Sequence, residues 1–97
     1  MRHFHRCSLT PDQVLEQADK HFGALGLSRG GADARSRIFT GALGTMRLTV
    51  KMEGGHYTFV EVHTDQVGES RLDKGVKKYF NLLHRTADPR HLIEAGY

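Results

Sequence analysis

The residue types most often used in catalysis or metal binding are spread thinly along this 97-residue chain. His3 and His5 stand two apart, so a strand would place both imidazoles on one face and supply half of a metal site. Only tertiary structure could bring up the other half from the remaining candidates, which are His56, His63, His84 and His91. Their spacings match no zinc signature. We therefore expect scattered surface histidines, no metal site and no cofactor.

The chain also carries one cysteine and several carboxylates. Cys7 could be a nucleophile beside a histidine, but a lone cysteine in a terminal strand is more often a small buried apolar group. The carboxylates that could form acid–base pairs are Glu53, Glu61, Asp65 and Glu69. Their spacing does not distinguish them from solvated surface charges. The sequence therefore predicts no catalytic residue, and an enzyme is the hypothesis that it supports least.

Two further patterns could bind phosphate. The basic residues Lys74, Lys77, Lys78 and Arg85 are clustered. We interpret this spacing as the solvent-facing side of an amphipathic helix. The glycines at Gly30-Gly31 and at Gly41/Gly44 do not open a helix after a buried strand, so they predict turns rather than a phosphate-binding loop.

Length and composition predict a single domain over residues 1–97. The formal charge of +3 is mixed along the chain, whereas strong nucleic-acid binders concentrate Lys and Arg more than this. An apolar content of 38% without Trp allows a thin, two-layer core. Because such a core often gains burial by dimerising, we expect a homodimer.

The single cysteine excludes an intramolecular disulfide and favours a reducing cytosol. The first residues lack the apolar segment of a signal peptide, and no apolar run reaches the roughly 20 residues of a membrane span. We therefore expect a cytoplasmic protein that has no membrane partner.

The strongest structural signal is a β-hairpin. Two alternating runs, 45–53 and 56–64, meet at Gly54-Gly55, a pair that favours a tight turn. A two-residue loop would pair Leu48 with Glu61. One extra loop residue or a bulge would instead pair Leu48 with Val62, which gives a better core. We prefer this second register.

Two amphipathic helices flank the strands. Thr10, Pro11 and Gln13 predict a capping box with proline at the first helical position. Apolar residues then recur at helical spacing, namely Val14, Leu15, Ala18, Phe22 and Leu25. The second helix is expected to begin after Ser70 as N-cap, with Asp73 on its polar side. Its apolar face consists of Leu72, Val76, Tyr79, Phe80 and Leu83.

The remaining segments complete the order βαβββα. Residues 2–8 predict a first strand, 28–36 a loop and 37–42 a second strand. Asp88-Pro89 predicts a short C-terminal helix over 90–94. The predicted fold class is therefore α+β, an antiparallel sheet with two helices packed on one face.

The preferred register leaves the other face of the sheet without a helix. We expect it to carry Tyr57 and Phe59, with Arg47 and Lys51 beside them and Phe39 joining them. A half-apolar face of this kind is rarely bare in a monomer. These five residues are the predicted binding surface for a second copy, a small apolar ligand or a nucleic acid.

The segment Gly55-His56-Tyr57-Thr58-Phe59-Val60-Glu61-Val62 resembles the RNP1 motif of RNA-recognition domains. Tyr57, Phe59 and Val60 match its aromatic and aliphatic positions, whereas His56 stands where the motif has glycine. In that family the aromatic residues stack on bases. The resemblance implies single-stranded RNA binding through Tyr57 and Phe59, which is our alternative hypothesis.

A second resemblance covers more of the chain. The run GTMRLTVKMEGGHYTFVEVHTDQ followed by SRLDKGVKKYFNLL is similar to a shortened helix-grip domain of the START and polyketide-cyclase kind. In that family a long helix and a curved sheet enclose an apolar ligand cavity. The resemblance implies a small apolar ligand at the sheet face or between two copies. The function that we expect is therefore a non-catalytic binding or assembly module.

Overall fold

The computed structural model describes residues 1–55, 57–67 and 69–87. Within them the strands are β1 Arg2–Cys7, β2 Ser28–Ala32, β3 Ser36–Gly41, β4 Gly44–Glu53 and β5 Tyr57–Thr64, and the helices are α1 Pro11–Ala24 and α2 Arg71–Ala87. The strands form one antiparallel sheet of order β1-β5-β4-β3-β2. The predicted α+β class and antiparallel sheet with two helices on one face are confirmed. The predicted helix over 90–94 lies outside the described residues.

Helix α1 begins as its capping residues predict. The Thr10 hydroxyl accepts a hydrogen bond from the Gln13 backbone N–H at 3.2 Å, and the Thr10 N–H donates to Gln13 Oε1 at 2.9 Å. These bonds satisfy two backbone donors that the helix itself cannot pair. Four residues of the predicted apolar stripe, Val14, Leu15, Ala18 and Phe22, are buried in the core. The fifth, Leu25, is the C-cap and is exposed.

Helix α2 packs beside α1 on the same face of the sheet. The Tyr79 hydroxyl donates to the Val14 carbonyl at 2.7 Å and so joins the two helices in the core. The Ser70 hydroxyl accepts from the Asp73 N–H at 3.0 Å, as expected for an N-cap. The prediction that Asp73 faces solvent is wrong, because its carboxylate is buried beneath the first turn of α2.

The hairpin adopts the register that we preferred. Leu48 lies opposite Val62, and Val50 lies opposite Val60. Glu53 and Tyr57 are the last pair, so three residues separate the two strands in the sequence. This register places the aliphatic side chains of both strands under the helices, where they are buried.

The prediction of a loop over 28–36 is wrong in part, because β2 occupies Ser28–Ala32 and pairs with β3. This strand lies at the edge of the sheet and is interrupted by a register shift between Arg29 and Gly31. A short, bulged edge strand needs no apolar alternation, so its composition resembles that of a loop.

The prediction that Phe39 lies on the helix-free face is also wrong. Phe39 pairs with Met46 across β3 and β4, and both side chains are buried under the helices. The Phe39 ring contacts the Phe22 ring, with centroids 5.3 Å apart. The two-residue turn between Gly41 and Gly44 sets this pairing, and it assigns Phe39 to the core.

Among the described residues, no helix combines the length and the apolar character needed to cross a membrane.

Candidate functional site

The helix-free side of the sheet, here called the open face, is the candidate binding surface. Side chains alternate along each strand, and the pairing of β1, β5 and β4 decides which of them share this side. The open face carries Arg2, Phe4 and Arg6 from β1, Tyr57, Phe59, Glu61 and His63 from β5, and Arg47, Thr49, Lys51 and Glu53 from β4. It combines aromatic rings with charges of both signs.

Two rings on the open face stack on each other. Phe4 and Phe59 have ring centroids 5.5 Å apart and an interplanar angle of 29°. The Arg2 guanidinium carbon lies 4.7 Å from the Phe4 centroid, and the Arg6 guanidinium carbon lies 4.7 Å from the Phe59 centroid. We call the four residues Arg2, Phe4, Phe59 and Arg6 the aromatic ladder. Cation–π attraction and ring stacking both stabilise it.

Carboxylates hold the two arginines of the aromatic ladder in place. Arg2 Nη2 lies 2.7 Å from Glu61 Oε2, and Arg6 Nε lies 2.7 Å from Glu53 Oε1. The hydrogen bond from Arg2 lowers the pKa of Glu61. Each arginine therefore has both a ring and a carboxylate as partners within the chain.

The open face contains two neighbouring shallow depressions. The first has a volume of about 370 Å³ and is lined by Arg2, Phe4, Thr49, Val50, Lys51, Phe59 and Glu61. The second has a volume of about 300 Å³ and is lined by Ile38, Thr45, Met46, Arg47, His63, Thr64 and Asp65. These volumes lie at the lower end of the range for small-molecule sites. The open face is better described as a contoured surface than as a cavity.

The structure places four of the five predicted binding residues together. Tyr57, Phe59, Arg47 and Lys51 lie on the open face, and the side chain of Tyr57 is 56% exposed. Lys51 Nζ lies 5.8 Å from the Phe59 centroid. Phe39 is absent from this group because it belongs to the core.

The contribution of β1 to the open face was not predicted from the sequence. Phe4 is 48% exposed and lies opposite Glu61, with Arg2 and Arg6 on the same side of the strand. Strand alternation in residues 2–8 places Arg2, Phe4 and Arg6 on one side of the strand and His3 and His5 on the other. It does not say which set faces the helices, because that depends on pairing with the distant strand β5.

The paired histidines lie on the other side of β1, under α2, so the prediction of surface histidines is wrong for them. His3 Nε2 lies 2.7 Å from Asp73 Oδ1, and the His5 ring stacks on Phe80 with centroids 5.1 Å apart. Burial lowers the pKa of His5, and the nearby His84 lowers it further. Among the described residues, no three His, Cys, Asp or Glu side chains are placed to hold a metal ion.

The carboxylate of Asp73 is the centre of a buried hydrogen-bond network. It accepts from Ser70 Oγ at 2.6 Å and from Thr64 Oγ1 at 2.9 Å, in addition to its contact with His3. Burial alone would raise the pKa of Asp73, but the hydrogen bonds from Ser70, His3 and Thr64 outweigh it and lower the pKa. The network holds the start of α2 against β1 and β5.

The remaining candidates for catalysis are engaged separately. Cys7 is buried in the core as predicted, and burial raises the pKa of its thiol, which disfavours the nucleophilic thiolate. Glu69 pairs with Lys77 at 2.8 Å, and Asp65 accepts from the Thr45 N–H at 3.0 Å. Glu53 and Glu61 hold the two arginines of the aromatic ladder. These contacts give each carboxylate a structural partner.

No protein-family model matches this chain, and no curated protein matches it. The resemblances to RNP1 and to helix-grip domains therefore stay predictions, and function has to be argued from the open face itself.

Proposed function

We propose that the protein is a non-catalytic assembly module that forms a homodimer through its open face. The observation that carries the proposal is the aromatic ladder, a stacked pair of partly exposed rings on a sheet face that no described helix covers. Aromatic residues and arginine are enriched in the buried core of protein–protein interfaces.

The contacts within the aromatic ladder favour a protein partner over nucleic-acid bases. Base-stacking platforms need accessible ring faces. Phe4 already has Phe59 and Arg2 as neighbours, and Phe59 already has Phe4 and Arg6. Side chains restrained by contacts within their own chain lose less conformational entropy on association, which favours an interface built on them.

The charges of the open face suit a second copy of the same chain. A two-fold interface brings identical surfaces together, so it needs both signs of charge on one surface. The open face carries both signs, with Arg47 and Lys51 on β4 and with Glu53 and Glu61, which pair with Arg6 and Arg2 on the same face. A flat, wide contact between two sheets would also supply the burial that a thin core lacks. We place this assembly in the cytoplasm, because the one cysteine, Cys7, is buried and unpaired.

Light scattering tests the proposal. We expect the wild-type protein to have twice the monomer mass of 10.9 kDa and the Tyr57→Ser/Phe59→Ser variant to be monomeric. Leu25→Ser/Met52→Ser is the matched control, since it removes two exposed apolar side chains that lie outside the open face. A monomeric wild type, or a double variant that keeps the wild-type mass, would contradict the proposal.

Single-stranded RNA binding is the second candidate, and one observation favours it. Exposed Arg47 and Lys51 each line one of the two adjacent depressions, and neither has a carboxylate partner among the described residues. Titration with labelled oligonucleotides at two salt concentrations tests this candidate. Binding should be tightest at low salt and weakened in Arg47→Ala/Lys51→Ala. No binding at low salt eliminates it.

The first depression is where a small apolar ligand would lie. Such a ligand would contact the exposed edges of Phe4 and Phe59 beside Lys51. A fluorescent apolar dye such as ANS is a suitable probe. Its signal should fall in the Tyr57→Ser/Phe59→Ser variant and stay unchanged in Leu25→Ser/Met52→Ser.

A further inference from the structure

A second surface lies at the end of the molecule where three connections meet. The Asp65 N–H donates to the Thr45 carbonyl at 3.0 Å, which holds the β5–α2 connection against the start of β4. The Gln66 side chain fills the space beside Gly44, where an added Cβ would lie 2.7 Å from Gln66 Nε2. The end of α1 reaches the same region, since an added Cβ on Gly75 would lie 2.9 Å from Leu25 Cδ1.

Aliphatic side chains are exposed at this end. Val67, in the β5–α2 connection, is 95% exposed, and Leu25, at the C-cap of α1, is 39% exposed. Leu43, in the β3–β4 turn, lines a depression together with Leu25. Leu25 and Val67 lie at a helix end and in a connection, where exposed side chains can enter a lipid surface without disturbing the core, whereas Leu43 is partly buried and packs against the core.

Three cations line the same depression as Leu25 and Leu43. Arg71, Lys74 and Lys78 are exposed on one side of α2, at the spacing that aligns side chains along a helix, and they border the same depression. Among the described residues, no salt bridge joins Arg71 or Lys78 to a carboxylate. Glu69, the nearby acid, is 2.8 Å from Lys77. We call Leu25, Leu43, Val67, Arg71, Lys74 and Lys78 the basic apolar end.

We propose that the basic apolar end docks onto an anionic lipid surface. An anionic lipid surface binds cations that lie next to exposed aliphatic side chains. The headgroups attract the cations, and the aliphatic side chains insert at the boundary of the acyl chains. The proposal replaces our expectation that the protein has no membrane partner. It does not depend on the homodimer, since the basic apolar end is separate from the open face.

Other occupants fit the basic apolar end less well. Its depression has a volume of about 270 Å³, which is below the usual range for a site that encloses a small molecule. A second copy would offer few free acids from α1, since Glu16 pairs with Lys20 and Asp19 pairs with Arg29, which leaves Asp12. A lipid surface needs neither an enclosing pocket nor a fixed pattern of opposite charges.

Vesicle co-sedimentation tests the proposal with the full chain. We expect binding to vesicles of phosphatidylcholine with one-third phosphatidylserine at low salt, weaker binding at high salt, and none to phosphatidylcholine alone. Lys78→Glu should reduce the affinity about tenfold or more. Arg35→Glu is the matched control, because it makes the same charge change on an exposed residue at the opposite end of the strands and should bind as wild type does.

Val67→Ser probes the apolar contribution and should also weaken binding. It is a safe substitution for folding, because a side chain that is almost fully exposed contributes little to stability. The proposal is overturned if the protein does not bind phosphatidylserine vesicles at low salt, or if either Lys78→Glu or Val67→Ser binds as tightly as wild type. Capture of a polyglutamate peptide in solution without vesicle binding would likewise overturn it, in favour of an acidic protein partner.

Discussion

Phe4 in β1 and Phe59 in β5 stack diagonally across two paired strands, with centroids 5.5 Å apart. The strand register sets Phe4 opposite Glu61 and Arg6 opposite Phe59, so neither ring lies directly opposite the other. Diagonal neighbours on one sheet face remain within reach of aromatic side chains. Because of this offset, the Arg2 guanidinium lies over the Phe4 ring and the Arg6 guanidinium lies over the Phe59 ring. All four side chains of the aromatic ladder are therefore in contact with one another in a row.

The first prediction is that Phe4 and Phe59 are energetically coupled. A double-mutant cycle of Phe4→Ala and Phe59→Ala should give a coupling free energy of about 1 kcal/mol in unfolding by urea at one protein concentration. Stacked rings interact beyond the apolar area that they bury, and each truncation also removes the partner of one arginine. A control cycle of Phe4→Ala with Ile38→Ala should be additive, because β1 and β3 are not neighbours in the sheet. Additivity in both cycles would show that the stacking contributes nothing.

The second prediction concerns the buried carboxylate of Asp73. Asp73→Asn should lower the free energy of unfolding at pH 7 by about 2–3 kcal/mol, because it disrupts hydrogen bonds from Ser70, Thr64 and His3 to a charged group. Asp12→Asn, an exposed acid in the first turn of α1, is the control and should cost less than about 1 kcal/mol.

The effect of Asp73→Asn should disappear in acid. The pKa of Asp73 is lowered in the folded protein, so its stabilisation is complete above the unfolded pKa of about 4. It is then lost as the pH falls through the folded pKa. Urea unfolding from pH 7 to pH 3 should show the wild-type and variant free energies converging below about pH 4. Parallel curves throughout this range would contradict the prediction.

The third prediction concerns pH and His5. Its folded pKa is lowered by burial and by His84, so the unfolded state binds a proton more readily. The stabilisation from neutral His5 is therefore complete above the unfolded pKa of about 6.5 and declines as the pH falls below it. His5→Phe keeps a ring against Phe80 and should flatten the fall in unfolding free energy between pH 7 and pH 5.

A core substitution provides the control for His5. Val50→Ala should lower the free energy of unfolding by a similar amount at each pH, because Val50 is buried and carries no titrating group. If the free energy of unfolding of His5→Phe falls as steeply as that of the wild type between pH 7 and pH 5, the acid sensitivity comes from another group.

The fourth prediction concerns two glycines. Gly75→Ala should raise the free energy of unfolding by about 0.5–1 kcal/mol, because alanine favours the helix and the added methyl meets only the flexible end of the exposed Leu25 side chain. Gly44→Ala should lower it by more than about 1 kcal/mol, since Gly44 has a φ of 130° and its neighbour Asp65 Oδ1 would lie 2.6 Å from the methyl. Thermal unfolding measures both. A loss of stability in Gly75→Ala would mean that Leu25 cannot move aside.

Local patterns were enough to predict much of the fold. The capping box of Thr10 and Gln13, the N-cap Ser70 and the pairing of Leu48 with Val62 involve residues that are close in the chain. A helix start depends on the few residues that satisfy its own N–H groups, and a hairpin register depends on its loop and on which partners bury most apolar surface. The edge strand β2 was not predicted. Its backbone hydrogen bonds are made with β3, and its side chains do not alternate between buried and exposed.

The candidate site was predicted only on the β4–β5 hairpin. Arg47, Lys51, Tyr57 and Phe59 were placed on one face because strand alternation is a local property. The sequence alone could not show that Phe4 belongs with them and Phe39 does not. Alternation divides a strand into two sides but leaves open which side the helices cover. That choice depends on pairing between β1 and β5 and on the packing of both helices, which only the complete tertiary structure specifies.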